Sequence, residues 1–469
     1  MRRNKNLQRG VPVALRFIVN VGKHGIMMQR TITLIAVIAC TLAFSGCGYF
    51  GFFASQAHWH KTFDTFPSMS SLNKIDPEDS MLLRGSIVRS QPRKEPLLVV
   101  AVSDRFQKNE KVAMAQLSDS ATTYWTFLPR GEYTVYVFAD IDQDGTFETE
   151  ECIGQTRALV TQEQSHGGII VDGPHILADF EYPRSTEFRV REKVRPHSYV
   201  YASLDDEFFD PRYGSTGLYH PSEFIAHSQG FLFSLGPFDE EKTTVLFVHG
   251  ITGVPRDWKY LVDGLDLNRF QPFFFYYPSG LRLDKLGTLL AETIITLDRH
   301  TGGDNASIVL AAHSMGGLIA VSAIQKLSET NRAASLKLFC SFSTPYAGDE
   351  TAKKWLSTAP VVVPSWQDIA ADSDFLASIK PKSVPMRPPL HLFFGYYDKT
   401  AIKFGESTDG IVSLQSQLDP VFQEAATRIY GFRETHDGIL HSEQARSTFL
   451  RLLDTVVPPD RTSTPVSVR

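Results

Sequence analysis

The sequence predicts an α/β protein in which a small β-sandwich precedes a larger domain built on a mostly parallel sheet. Two observations lead to this prediction. From Thr243 to Val457, short apolar runs alternate with stretches of helical periodicity, as in a parallel sheet with helices packed on it. From residue 81 to 185, short runs of alternating apolar and polar residues are separated by turn residues, which is typical of a β-sandwich.

Length and composition agree with a folded protein of more than one domain. The chain has 469 residues, of which 42% are hydrophobic and 21% charged, enough for two or three domains. The net charge of -5 gives no sign of nucleic-acid binding. Of the four cysteines, Cys152 and Cys340 fall in different predicted domains, so we expect two free buried thiols there.

The N-terminal 46 residues have the features of a leader. Ile32 to Phe44 is an apolar run preceded by Arg30, too short for a permanent membrane span and similar to a signal-peptide core. Because the basic stretch before it is long, Met27 or Met28 is a candidate start.

The leader ends in a segment that resembles a bacterial lipoprotein processing site, Phe44-Ser45-Gly46-Cys47. This resemblance implies that Cys47 is acylated and that residues 47–80 form a lipidated tether. Gly48, rather than an acidic residue, follows the cysteine, which by the same resemblance favours the outer membrane of a bacterial envelope, facing periplasm or exterior. The alternative is a cleaved secretory signal without lipidation.

An acidic loop is the most distinctive feature of the predicted sandwich. Within Asp140 to Glu151, carboxylates occupy positions one, three, five and twelve around Gly145, which is the template of a calcium loop. The candidate ligands are Asp140, Asp142, Asp144 and Glu151. Because a strand pattern precedes the loop, a structural calcium ion would lie in a sandwich loop; the alternative is an acidic turn without an ion. Residues 186–242 are expected to connect the two domains, and 458–469 to form a disordered tail.

A serine at a predicted strand-to-helix turn is the candidate nucleophile. The run 306–312 is apolar and predicts a buried strand, and 316–327 has helical periodicity. Between them lies Ser314, flanked two residues away by Ala312 and Gly316. Small residues at these places suit the sharp turn that exposes a catalytic serine.

A second predicted strand, Thr243 to Val248, leads into a glycine-containing loop at 249–253. Acyl transfer needs backbone N–H groups that stabilise the oxyanion, worth about 3 kcal/mol per donor. The expected donors are the amides of Ile251 and of Met315, which follows the serine at a helix N-terminus.

These motifs resemble the α/β-hydrolase superfamily, in particular its bacterial lipase and esterase-like branch, over residues 243–457. The A-H-S-M-G form at Ser314, the T-P-x-x-G form at Thr344 and the H-x-G-I-L form at His436 all occur in the expected order. The resemblance implies a doubly wound sheet with helices on both faces. It also implies hydrolysis of carboxylic esters through an acyl-enzyme, with no cofactor for catalysis.

The resemblance further implies which residues complete a triad with Ser314. A D-G-x-V segment places the acid at Asp409, and His436 is the implied base. Asp398 is the alternative acid because many hydrolases take it from the strand end, and His441 is the competing base. His313 is expected to pack beneath the serine turn.

Three functional alternatives follow from the sequence. The first is an esterase or lipase that acts on an ester or lipid substrate, with residues 351–385 as a candidate lid or acyl-binding wall. The second is an acyltransferase or thioesterase that uses the same triad. The third is a non-catalytic binding lipoprotein that retains the fold. The sequence predicts no oligomeric state.

Overall fold

The computed structural model describes residues 80–91, 93, 95–103, 111–117, 122–193, 203–221, 224–225, 231–300, 307–359, 362–382, 384–397 and 407–457. The chain divides into two units, residues 1–50 and 51–469, and every described residue belongs to the second. The predicted leader, residues 47–79 of the predicted tether with Cys47, Asp398 and the C-terminal tail therefore lie outside the described residues.

The described N-terminal region consists of two four-stranded sheets, which we call the sheet pair, and a short two-stranded ladder. One sheet has the order β4-β1-β9-β8, the other β3-β2-β5-β7, and β6 pairs with β10. The strands are β1 (Ser80–Arg89), β2 (Leu97–Val102), β3 (Lys111–Leu117), β4 (Thr123–Pro129), β5 (Gly131–Ala139), β6 (Thr146–Glu148), β7 (Cys152–Val160), β8 (Ser165–His166), β9 (Ile170–Ala178) and β10 (Arg191–Lys193).

The two sheets of the pair share one hydrophobic core. Leu83 from β1 and Ile176 from β9 lie in the same buried cluster as Val99 from β2 and Val137 from β5. The pairing is antiparallel except between β1 and β9, which run parallel. Alternate residues of β1 and β5 therefore face this core, as the period of two in their sequences predicts.

The C-terminal region is built on a seven-stranded sheet of order β11-β13-β12-β14-β15-β16-β17. Its strands are β11 (Leu232–Ser234), β12 (Thr243–Val248), β13 (Phe270–Phe275), β14 (Ile308–His313), β15 (Leu336–Phe342), β16 (Leu390–Gly395) and β17 (Ala426–Phe432). All pairs are parallel except β11 with β13. The strand order reverses direction after β13, so the sheet is doubly wound, and the predicted fold class is confirmed.

Helices alternate with these strands. They are α1 (Pro211–Tyr219), α2 (Lys259–Val262), α3 (Leu283–His300), α4 (Met315–Glu329), α5 (Glu350–Thr358), α6 (Pro364–Ile369), α7 (Asp374–Ser378), α8 (Leu414–Gln417), α9 (Pro420–Ala425) and α10 (Glu443–Val456). The central strands β12 and β14 are buried along their whole length, because helices cover both faces of a doubly wound sheet. None of the helices in the described part of the chain is long and apolar enough to cross a membrane.

The segment expected to connect the two domains differs from the prediction. Part of residues 186–242 belongs to the C-terminal region, because β11 extends its sheet and α1 packs against a loop of that sheet. The contact at Gly214 of α1 is so close that a Cβ there would lie 1.9 Å from the Thr252 carbonyl oxygen. The C-terminal region therefore begins before residue 243.

The sheet pair packs directly on the C-terminal region. Ile169 and Ile170 belong to the same buried cluster as the strands of the large sheet. Arg84 forms an ion pair with Glu292 of α3 at 3.2 Å. The sheet pair keeps a hydrophobic core of its own, and a few of its apolar residues join the core of the C-terminal region.

Both described cysteines are buried free thiols. Cys152 lies in β7 and Cys340 in β15, and burial raises the pKa of each. A buried neutral thiol is a poor nucleophile, so neither side chain has the properties of a reactive cysteine.

Candidate active site

The backbone is strained at the serine between β14 and α4. Ser314 has φ 53° and ψ -129°, in a region that non-glycine residues rarely adopt. Its N–H donates a hydrogen bond to the Phe342 carbonyl at 2.8 Å, which ties the turn to the end of β15. The serine is 6% exposed. A strained turn at the carboxyl end of a central parallel strand is the position that projects a nucleophile out of the sheet.

Two glycines after the serine allow the helix to approach neighbouring backbone. A Cβ at Gly316 would lie 2.3 Å from the His249 carbonyl oxygen, and one at Gly317 would lie 1.9 Å from Thr344 Oγ1. Both distances are far shorter than any contact that a real Cβ makes. Glycine at both 316 and 317 is therefore required by the packing of α4 against two neighbouring loops.

The loop after β12 packs on the serine turn. A Cβ at Gly250 would lie 2.9 Å from the Cβ of Ser314, so the loop and the turn are in direct contact. The next turn is fixed by Thr252, which has φ 54° and donates its N–H to Ser279 Oγ at 3.2 Å. Within the described residues, the amides of Ile251 and Met315 donate to no protein acceptor. They are the two predicted oxyanion donors.

His249 supports this loop from below. Its Nδ1 donates to the Gly250 carbonyl at 2.7 Å, and its Nε2 accepts from the Tyr277 N–H at 3.2 Å. The imidazole also stacks on the Tyr277 ring with centroids 4.0 Å apart. Burial lowers the pKa of His249 to about 4. The ring is therefore neutral, with its proton on Nδ1, and it holds the carbonyl that precedes Ile251.

Asp409 and His436 form a buried pair. Nδ1 of His436 lies 2.7 Å from Oδ2 of Asp409, and the His436 N–H donates to the Asp409 carbonyl at 2.9 Å. The other carboxylate oxygen, Oδ1, accepts from the N–H groups of Ile411 and Val412 at 3.0 and 2.7 Å. His436 is 5% exposed and Asp409 is fully buried. The carboxylate is thus held by four hydrogen bonds, counting the bond from Gln417 described next.

Gln417 is a site residue that the sequence analysis missed. Its Nε2 donates to Asp409 Oδ2 at 3.1 Å, and its Oε1 accepts from the Gly395 N–H at 3.0 Å. The side chain is fully buried. Nothing in the sequence distinguishes it, because a glutamine in a short polar helix is ordinarily solvated, and only the packing of α8 against β16 shows its role.

His313 lies beside Ser314 and links the serine turn to the loop that bears His436. Its Nε2 donates to the His436 carbonyl at 2.9 Å, and the two imidazole rings lie 4.7 Å apart. Burial, and then the charge of His436, place the pKa of His313 well below its usual value. This neutral ring under the turn agrees with the packing role expected from the sequence.

The competing residues have different positions. His441 is exposed, and its Nδ1 lies 3.2 Å from the Asp437 carbonyl. It therefore faces solvent on the side of the final helix. Asp398, the alternative acid, lies outside the described residues. Among the predicted acids and bases in the described part of the chain, the structure pairs Asp409 with His436.

A small apolar cluster, which we call the apolar wall, lies next to the oxyanion loop. Leu218 from α1 and Val363 beside α6 are buried together, and Tyr219, Trp366 and Ile251 pack against them. Trp366 contacts Trp355 of α5 edge to face, with centroids 6.2 Å apart. The inserted region after β15 thus supplies apolar groups close to Ile251.

The acidic loop between β5 and β6 holds three of the four predicted metal ligands together. Asp140, Asp142 and Asp144 each have a carboxylate oxygen within 4.8 Å of the others. Glu151 is not part of this group, which differs from the prediction. Its Oε1 and Oε2 accept hydrogen bonds from the N–H groups of Ile141 and Glu148 instead.

Comparison with known proteins found one family and several solved structures similar to this chain. Residues 239–377 match the family described as "Putative serine esterase (DUF676)". The mature form of a Bacillus licheniformis lipase is 19% identical, with a TM-score of 0.38 over 48% of this chain and 98% of the lipase. Aspergillus fumigatus lipase B is 13% identical, with a TM-score of 0.36 over 48% of this chain and 56% of that chain. No curated protein matches the chain.

The class of protein follows from three findings together: the strand order, the strained serine turn and the family match. The C-terminal region is an α/β-hydrolase. Within that class, residues 239–377 are similar to a family of serine esterases, which supports a hydrolase.

Proposed function

We propose that this chain cleaves carboxylic esters through an acyl-enzyme on Ser314, with His436 as general base and Asp409 as the acid that orients it. The observation that carries the proposal is the buried pair of Asp409 and His436, 2.7 Å apart, hydrogen-bonded through His313 to the segment that bears the strained serine. A serine is activated when a base so oriented removes its proton.

In this mechanism, the Nδ1–H of His436 donates a hydrogen bond to the Asp409 carboxylate, and Nε2 faces the serine hydroxyl. Ser314 Oγ attacks the acyl carbon while its proton passes to Nε2, and the carbonyl oxygen becomes an anion. The amides of Ile251 and Met315 stabilise this anion. The imidazolium then protonates the leaving alcohol, and water repeats the sequence on the acyl-enzyme, which releases the acid and restores the serine.

The apolar wall supports an acyl substrate with a hydrocarbon chain. Ile251, one of the proposed oxyanion donors, and Trp366 are partly buried and pack against the same apolar pair, Leu218 and Val363, so an ester bound beside Ile251 would lie next to apolar side chains. A Leu-sized group moved from water to such a surface contributes about 2 kcal/mol. We infer a preference for esters with an apolar acyl chain over acetate.

A fluorophosphonate probe tests the nucleophile directly. We expect one adduct per chain, located by mass spectrometry on Ser314, and none in Ser314→Ala. Ser328→Ala is a matched control, because Ser328 is an exposed serine in the same helix. Labelling of another residue, or of Ser314→Ala, would contradict the proposal. Transfer of the acyl group to an added alcohol or thiol faster than to water would indicate an acyltransferase instead.

We also propose that the enzyme is anchored to a bacterial membrane through a segment that lies outside the described residues. The support is the sequence Phe44-Ser45-Gly46-Cys47, which resembles a lipoprotein processing site. The mature protein should partition with membranes and carry the mass of a lipid on Cys47, whereas Cys47→Ser should lack it. An unmodified N-terminus on a soluble wild-type protein would exclude the anchor.

A further inference from the structure

Three carboxylates meet in the acidic loop. Oxygens of Asp140, Asp142 and Asp144 lie within 4.8 Å of one another. Within the described residues, none of the three pairs with an arginine, lysine or histidine. Like charges this close repel unless a counter-ion lies between them.

An unsatisfied oxygen in this group is a separate observation. Asp140 is only 8% exposed, and its Oδ2 accepts from the Gly145 N–H at 3.1 Å. Its Oδ1 is buried and has no hydrogen-bond partner among the described residues. A buried carboxylate oxygen without a partner is rare, because desolvation of a charged atom is costly unless a donor or a cation compensates it.

We propose that this loop binds one divalent cation, Ca²⁺ in preference to Mg²⁺, with Asp140, Asp142 and Asp144 as side-chain ligands. The donors are all carboxylate oxygens, which hard cations prefer and which zinc or copper sites usually combine with nitrogen or sulfur. Two oxygens on one Ca²⁺ are separated by at most about 5 Å, twice the metal–oxygen distance, so these three fit around one ion. Mg²⁺ usually takes one or two carboxylates and keeps its waters.

Glu151 closes the loop and is not a ligand in this proposal. Its two oxygens accept from Ile141 at 2.7 Å and Glu148 at 2.8 Å, which ties the start of the loop to its end. It is a positioning residue, because it holds the backbone on which the aspartates lie. Gly145, at φ 84° with open space where a Cβ would be, makes the turn between them.

The loop is connected to the short two-stranded ladder of β6 and β10. Phe147 follows the three aspartates and is fully buried in a cluster with Phe188 and Val190. Its strand β6 pairs with β10, the last described element before residue 203. A cation that orders the acidic loop would therefore also stabilise the attachment of residues 184–193. We expect its effect on stability and not on the chemistry at Ser314.

The test uses the full chain, stripped of metal by a chelator and then dialysed. Calorimetry with CaCl₂ should show one ion bound per chain, and Ca²⁺ at saturation should raise the melting temperature by several degrees. MgCl₂ at the same concentration should bind at least about tenfold more weakly. No binding heat and no change in melting temperature for the folded wild type would overturn the proposal.

Variants assign the binding to this loop. Asp142→Asn and Asp144→Asn change exposed side chains, so the fold should persist, and each should weaken Ca²⁺ binding at least about tenfold and remove the thermal shift. Glu150→Gln is the matched control, an exposed carboxylate of the same loop outside the cluster. If Ca²⁺ binds equally well to both aspartate variants, the site is elsewhere and the proposal is wrong.

Discussion

Both the Nε2 and the Oε1 of the Gln417 amide form hydrogen bonds beneath the loop that bears Asp409. Besides the bond to Asp409, its Nε2 donates to the carbonyls of Gly395 and Val412 at 3.2 Å, while its Oε1 accepts from Gly395. The side chain therefore connects the end of β16, the acid loop and the carboxylate. We regard it as a positioning residue for Asp409.

We predict that Gln417→Leu lowers kcat about 10- to 100-fold and leaves KM nearly unchanged. The reason is that Asp409 loses a charge-assisted hydrogen bond, worth about 1.5 to 3 kcal/mol, and orients His436 less well. Steady-state kinetics on a soluble ester measure both constants. Gln423→Leu is the control, since the side chain of Gln423 is exposed and donates to the Leu418 carbonyl at 2.6 Å. An equal loss in both variants would make the effect structural.

His249 should make the protein sensitive to acid. Its pKa is lowered to about 4 from 6.5, so between these values the unfolded chain binds a proton that the folded chain does not. Its contribution to stability is complete above pH 6.5 and is lost as the pH falls towards 4. The shift corresponds to about 3 kcal/mol of unfolding free energy. The buried His313, whose pKa is also lowered, adds in the same direction.

Replacement of His249 by asparagine tests this prediction. The amide can still donate to the Gly250 carbonyl but cannot titrate. We expect His249→Asn to be less stable than the wild type at pH 7.5, and to lose less unfolding free energy between pH 7 and 4.5. Urea unfolding at several pH values measures both slopes. Parallel slopes would show that the imidazole does not contribute.

The helices inserted after β15 should determine the enzyme's preference for the length of the substrate's acyl chain. Helices α5 and α6 carry Trp355 and Trp366, but only Trp366 belongs to the apolar wall beside Ile251. Trp355 lies further out and is 38% exposed. The two tryptophans therefore form a matched pair in one insertion.

We predict that Trp366→Ala lowers kcat/KM for p-nitrophenyl octanoate about tenfold or more and affects the acetate ester far less. The lost contact is apolar surface, and a pocket distinguishes such groups by about 1 to 3 kcal/mol. Trp355→Ala should change the ratio of the two kcat/KM values by less than about threefold. A Trp366→Ala enzyme with an unchanged ratio would place the acyl chain elsewhere.

Element by element, the sequence predicts best where burial is complete. The predicted bounds of Thr243–Val248 and Leu336–Phe342 coincide with β12 and β15, because an apolar run in a doubly covered sheet ends where polar residues begin. Strand β7 is hard to predict because residues 154–157 at its centre are Gly, Gln, Thr and Arg, with no apolar residue among them. Short β11 has too few residues to show any period.

Some features of the candidate active site can be predicted from the sequence, and others depend on tertiary packing. The turn at Ser314 is predictable because its chemistry needs small residues at set spacings. The choice between Asp409 and Asp398 depends on which carboxylate reaches His436, and the sequence leaves that distance open. The role of Gln417 and the contact of Leu218 in the apolar wall depend on tertiary packing alone, so no local sequence pattern predicts them.

At the scale of the whole molecule, the sheet pair approaches the C-terminal region very closely at Gly167. This glycine has φ 56°, and a Cβ there would lie 2.1 Å from Thr288 Oγ1 in α3. The neighbouring Gly168 has φ 69°, but the nearest atom to its Cβ would be 3.4 Å away. The two glycines share the backbone requirement and differ in the clash across the junction.

We predict that Gly167→Ala lowers the unfolding free energy by about 2 to 4 kcal/mol, and Gly168→Ala by about 1. Both variants force an alanine into the left-handed backbone region, which costs free energy, but only Gly167→Ala also overpacks the junction. Chemical unfolding measures the difference. Thr288→Ala should restore part of the loss in the Gly167→Ala background. Equal losses in the two single variants would mean that the regions do not press together at this point.

The apolar contact between the two regions has a consequence for how this chain can change by recombination. Leu82, Phe127, Ile169 and Ile170 of the sheet pair lie in the same buried cluster as the large sheet. A hydrolase moved without the sheet pair would present the uncovered partners of these side chains to water, and a sheet pair moved alone would expose the side chains themselves. Neither half is an interchangeable module, so the two have to be inherited and varied together.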